Sequence, residues 1–234
     1  MAYADDPPTL HFHFLNGNSK TDVLNSKLKV TLGSTVSVDE TIIVTAAVGP
    51  VAGNVHCSDT QGNTYAVSVN KTTSTDRLFM CVAAVTHQLN TGDKIKINYP
   101  TFDGLSIASV EQVHALDVPG AVDTTAKGAG KKIAVDATPV TPSASRALLF
   151  GTILTHGEAN VFTTPGTEEY QAYSTYGAGT GSDTKLLTAY YYTSGDPVFS
   201  APYILDGSQS FAGPWATVQA VFLATQSVGS GADQ

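Results

Sequence analysis

Arginine is almost missing from this chain: Arg77 and Arg146 are the two it has. Charged side chains as a class reach 14%, where soluble domains average about 25%, and 12 basic against 20 acidic residues leave a net charge of −8. Such a balance repels phosphate backbones and anionic lipid. The one basic pair, Lys131-Lys132, sits in a Gly/Ala-rich stretch with no interleaved aromatics and reads as a solvated loop. Nucleic acid is therefore not an expected partner. Nor is membrane insertion, because no apolar run approaches the roughly 18 residues of a spanning helix. Glutamate is also scarce, 5 against 15 aspartates; aspartate suits turns and glutamate suits helix faces, so the expectation is a turn-rich all-β protein and not a helical bundle. Two cysteines, Cys57 and Cys81, are too few for a disulfide scaffold or a tetrahedral thiolate site. Both fall in predicted strands, and the expectation is two separate buried thiols acting as small hydrophobes, with pairing open to neighbouring strands.

What is present in excess is hydroxyl: 30 threonines and 19 serines, with β-branched threonine favouring pleated surfaces. Short apolar or alternating segments recur between turn signals, as in a sandwich or barrel. They predict strands over 27–31, 40–47, 54–58, 64–69, 78–85, 94–98 and 106–114, then over 132–136, 147–155, 169–176, 185–193 and 216–224. Lys94-Ile95-Lys96-Ile97-Asn98 alternates and predicts one wet face. The runs beginning at Thr41 and Leu148 are nearly continuously apolar and predict central strands covered on both sides. Ser58-Asp59-Thr60-Gln61-Gly62-Asn63-Thr64 is expected to turn a hairpin between the Cys57 and Tyr65 strands, and Asn90-Thr91-Gly92-Asp93 to form a second tight turn. Length alone admits one domain or two. The region 119–145 is expected to be a long crossover within one domain, since each half alone has a sparse core. The expected architecture is a single antiparallel β-sandwich, jelly-roll-like, over residues 21–226, with an N-terminal arm (1–20) and a Gly/Ser-rich C-terminal tail (227–234).

Candidate chemistry is thin. His11 and His13 would share a face of an extended arm, two ligands at most, and the expectation is histidines outward with Phe12 and Phe14 docked; no metal is expected. Asp59-Thr60-Gln61-Gly62-Asn63 carries oxygen ligands but not the EF-hand spacing. Gly179-Thr180-Gly181-Ser182-Asp183 is a turn without the strand-elbow-helix context of a serine nucleophile. Cys81, inside Phe79-Met80-Cys81-Val82, is expected to be buried, and Glu168-Glu169 would face opposite ways on a strand. No enzyme and no cofactor are expected. Asn70-Lys71-Thr72 is the single glycosylation sequon. The tyrosines Tyr170, Tyr173, Tyr176, Tyr191 and Tyr203 are candidate contacts to a glycan or a protein partner. Phe12, Phe14 and Leu15 are candidate assembly contacts, because an apolar alternating arm can add to a neighbour's sheet edge; the competing arrangement is an ordinary first strand of the chain's own sandwich.

Four strings stand in order in the first half: Val36-Ser37-Val38-Asp39-Glu40-Thr41-Ile42-Ile43-Val44, Cys57-Ser58-Asp59-Thr60-Gln61-Gly62-Asn63-Thr64-Tyr65, Leu78-Phe79-Met80-Cys81 and Leu89-Asn90-Thr91-Gly92-Asp93-Lys94-Ile95. Later come Pro142 to Gly151, Phe162-Thr163-Thr164-Pro165-Gly166 and Trp215 to Val221. This order of features resembles a β-sandwich module of tailed-phage minor tail and other virion proteins and of bacterial surface proteins. The resemblance spans about residues 27 to 225, and its motifs are structural, so it transfers no catalytic residue. It implies a structural virion protein of tail, head decoration or fibre, forming a homo-oligomer and contacting other virion proteins. The alternative is a secreted or cell-surface carbohydrate-binding or adhesive module, contacting a host surface glycan. Residues 1–8 lack the basic and apolar regions of a secretory signal, so the expected location is the virion, made in a host cytoplasm, with a secreted or surface location as the alternative.

Overall fold

The computed structural model describes residues 11–20, 24–130, 140–144, 146–156, 170–177, 184–193 and 214–224. These residues are all-β. In chain order the strands are β1 (His11–Lys20), β2 (Asn25–Thr31), β3 (Thr41–Val48), β4 (His56–Asp59), β5 (Ala66–Thr72), β6 (Arg77–Ala84) and β7 (Lys94–Phe102). They continue with β8 (Ser106–His114), β9 (Thr124–Gly130), β10 (Ala147–His156), β11 (Tyr170–Gly177), β12 (Thr184–Thr193) and β13 (Trp215–Leu223).

Three antiparallel sheets stack in layers. The middle sheet has the order β1-β8-β3-β6-β5, a small sheet β2-β7-β4 covers one of its faces, and β11-β12-β10-β13-β9 covers the other. The sandwich is thus doubled, with two cores sharing one sheet. That sharing explains the unbroken apolar runs of β3 and β6. Along β3, Ile42, Val44, Ala46 and Val48 enter the core under the small sheet, while Ile43 and Ala47 enter the other. In β6, Phe79 and Cys81 face one way and Leu78, Met80 and Val82 the other. A strand alternates its side chains, so one buried on both faces cannot alternate in polarity. β7 has one wet face, with Ile95 and Ile97 fully buried and Lys94 exposed.

Several local expectations change. The 58–64 segment does not close a hairpin: β4 pairs with β7 in the small sheet and β5 with β6 in the middle one, so the turn carries the chain between layers. Asn90–Asp93 does form a tight turn, closed by Asp93 N donating to Asn90 O at 2.9 Å, with Gly92 at φ +94. Within the crossover region, β9 is a strand of threonine, alanine and glycine with one lysine, Lys127, pairing with β13. A Cβ on Gly130 would stand 2.5 Å from the Trp215 ring, so the indole lies where the glycine leaves room. The strand predicted over 132–136 and the Lys131-Lys132 pair lie outside the described residues.

Cys57 and Cys81 are joined in a disulfide, with Cα atoms 6.2 Å apart, which corrects the expectation of two separate thiols. β4 and β6 are not neighbours in a sheet; they face each other across the core, a relation that strand patterning does not reveal. The bond fastens the small sheet to the middle one.

Candidate functional site

Residues 11–20 form β1, an edge strand of the chain's own middle sheet paired with β8 from His11↔His114 to Lys20↔Ser106. A bulge between Phe14 and Asn16 turns Leu15 into the core, where it is 6% exposed. Leu15 is thereby placed as a core residue of its own domain, the intramolecular arrangement. Phe14 is half-buried and His13 exposed; the side chains of Phe12 and His11 lie outside the described residues. Beyond the bulge, Asn16 Nδ2 donates to Thr31 O at 2.7 Å and Asn18 Nδ2 to Lys29 O at 2.8 Å, stitching the edge of the middle sheet to β2. Among the described residues no group of three or more His, Cys, Asp or Glu is arranged to hold a metal.

Tyr170, Tyr173 and Tyr176 lie on β11, the edge strand of the outer sheet. The register pairs Tyr170 with Tyr191 and Gln171 with Tyr190 on β12. Tyr190 is buried between the sheets. Tyr203, the 179–183 turn and the Glu168-Glu169 pair lie outside the described residues.

The oxygen-rich 59–63 turn is occupied by its own donors. One Asp59 oxygen accepts from the backbone N–H groups of Gln61, Gly62 and Asn63; the other accepts from Asn63 Nδ2 at 2.9 Å and Tyr65 O–H at 3.1 Å. A carboxylate so surrounded by N–H and O–H donors fixes the interlayer turn and offers a cation little. Burial, with the Asp59 charge second, holds the Tyr65 hydroxyl far above its ordinary pKa.

Two clusters that patterning did not single out bring titratable groups together. At one end of the stack, Asp76, in the turn between β5 and β6, receives His156 Nε2 at 2.7 Å and Thr75 Oγ1 at 2.5 Å. The other ring nitrogen, His156 Nδ1, is 3.0 Å from Thr184 Oγ1. The Asp76 hydrogen bond raises the imidazole pKa despite partial burial. A cleft of about 230 Å³ opens here, lined also by Gly49, Phe102, Asp103 and Leu154. Carboxylate, imidazole and hydroxyl stand in the order that activates a hydroxyl nucleophile. Thr184, however, is buried at the first position of β12, and the chain of bonds runs from a turn of the middle sheet to two strands of the outer one. It works as a latch between layers.

The second cluster is inside the core. Glu111 on β8 is fully buried between the middle and outer sheets, and Thr188 Oγ1 donates to its Oε1 at 3.3 Å. Burial pushes the carboxyl up to about 8, against the opposing pull of the Ser109 and Thr188 hydroxyls. It is protonated at neutral pH. Nearby, Thr152 and Thr45 hydroxyls meet across the same interface at 3.2 Å. A signal for Glu111 exists in the sequence: it falls in phase with Ile107 and Val113, on a face that is otherwise apolar or hydroxyl-bearing.

No protein-family model, curated protein or solved structure matches this chain.

Proposed function

We propose that this chain is a non-enzymatic structural protein of a virion, a tail, head-decoration or fibre component that assembles with itself and with other virion proteins. The observation carrying this reading is strand order. β1-β8-β3-β6 faces β2-β7-β4, the order in which a jelly roll wraps two Greek keys, with β5 joining β6 instead of β4. Jelly rolls are recurrent in capsid and lectin domains, and the association is one of fold, so the role must be tested on the molecule. The non-enzymatic reading is supported by the titratable groups described above: Asp59 is surrounded by donors, Glu111 is sealed from solvent, and Thr184, although it lines the cleft beside Asp76 and His156, is itself buried and tied into a contact between sheets. The tyrosine-bearing strand β11 ends the outer sheet among the described residues and is the edge to which such contacts are assigned, since unpaired strand edges template association.

A second reading, a secreted or cell-surface carbohydrate-binding or adhesive module, is favoured by the Cys57–Cys81 disulfide, because such bonds persist in oxidising surroundings. Labelling of density-purified particles with an antibody raised against the chain separates the two. The virion reading expects stoichiometric label on particles; label confined to cell surfaces or culture supernatant overturns it in favour of the second.

A further inference from the structure

We infer that the outer face of the β2-β7-β4 sheet binds a linear acidic polysaccharide. The register sets Lys29 directly opposite Lys96, Thr31 opposite Lys94, and Lys27 opposite Asn98, which in turn pairs with His56. Inward positions Leu28, Val30, Ile95, Ile97 and Cys57 fill the core, so alternation sends Lys27, Lys29, Lys94 and Lys96 to one outer face. Four of the twelve basic residues of a chain with net charge −8 thus share two neighbouring strands, β2 and β7. No described carboxylate pairs with any of the four.

That concentration is unfavourable on its own, since like charges directly opposite on a sheet repel. With strands about 4.8 Å apart and alternate residues about 7 Å apart along each, the four ammonium stems start from a diagonal about 14 Å long. A polymer carrying one negative charge per sugar matches such a stripe. The stripe also continues into a groove of about 450 Å³ between β1 and β2, lined by Asn18, Ser19, Lys20, Lys27, Leu28 and Lys29.

The remaining outward side chains select the kind of polyanion. Thr31, Ser58, Asn98 and His56 supply hydroxyl, amide and imidazole groups that hydrogen-bond to sugar hydroxyls. The face has no arginine for bidentate phosphate contact and no aromatic on which a base would stack. A neutral glycan would leave the lysines uncompensated. This surface lies away from β11 and does not depend on the assembly reading.

The test is titration of the full chain at low ionic strength with polygalacturonate, and in parallel with its fully methyl-esterified form and a duplex DNA of equal charge. The expected result is binding of polygalacturonate alone, weakened by added salt, and reduced at least tenfold in Lys29→Gln/Lys96→Gln. That variant is expected to keep the wild-type melting temperature or exceed it, since a repulsive pair is removed. The inference is overturned if polygalacturonate does not bind, if the double variant binds it as well as wild type, or if DNA binds as tightly. Low-salt self-association that the double variant abolishes, without polygalacturonate binding, assigns the face to a second copy and also overturns it.

Discussion

Thr188 on β12 reaches across the interface between the middle and outer sheets and donates to Glu111 on β8 at 3.3 Å. The glutamate thereby keeps a hydrogen bond inside a core that otherwise strips it of water, and the proton it retains replaces the charge that burial forbids.

The pH dependence follows from that proton. Between the ordinary value of 4.5 and about 8 the folded chain holds Glu111 protonated while the unfolded chain does not. Unfolding releases a proton in that window, so stability falls as pH rises through it and levels off above. Glu111→Gln keeps the shape and removes the titration. Thermal melts at pH 5 and pH 8 are expected to show a smaller loss for the variant than for wild type, with the variant several degrees higher at pH 8, on a scale of about 2–4 °C per kcal/mol.

His156 acts in the same direction. Its pKa is raised above 6.5 by Asp76, so the latch contributes fully below pH 6.5 and loses strength as pH rises through the folded-state value. Asp76→Asn is expected to lower the melting temperature by a few degrees at pH 5.5 and by less at pH 8.5; both groups are partly exposed, which limits the ion pair to about 1 kcal/mol. An equal loss at both pH values would assign the pair a role independent of charge.

The disulfide closes a loop between residues 57 and 81, 24 apart in sequence, for which chain entropy gives about 3 kcal/mol. Cys57→Ser/Cys81→Ser is expected to melt roughly 6–12 °C below the oxidised wild type. Reduction of the wild type should reproduce most of that shift.

Gly120 sits at φ +73, donates its N–H to Thr41 Oγ1 at 2.8 Å, and would place a Cβ 2.4 Å from the Ala84 backbone nitrogen. Backbone cannot yield as a flexible side chain does. Gly120→Ala is expected to cost more than the roughly 1 kcal/mol of an ordinary left-handed substitution, read as a fall in urea midpoint. Gly62→Ala is the comparison, since Gly62 is at φ +86 but has open space around it.

Much of this architecture is legible in the residues. The runs at Thr41 and Leu148 announce strands covered on both faces, and Lys94 to Asn98 announces one that is not. What the residues hide is which strands face each other. That is why the Cys57–Cys81 bond and the layer change at 58–64 emerge from the structure: strand pattern encodes which side is apolar, not what lies across the core. β9 escapes because Ala126, Gly128 and Gly130 present no apolar alternation, and its pairing is set by β13 and the Trp215 ring. The His156 latch escapes because Asp76, 80 residues away in sequence, meets it through the stacking of two sheets.

Assembly through sheet edges is the central claim, and sedimentation velocity of the full chain over a hundredfold concentration range tests it most directly. The expected result is a single defined homo-oligomer that Tyr170→Lys/Tyr173→Lys on β11 converts to a folded monomer, because edge lysines block strand pairing. A wild-type chain that sediments as a monomer at every concentration, or an oligomer indifferent to the β11 substitutions, would contradict it.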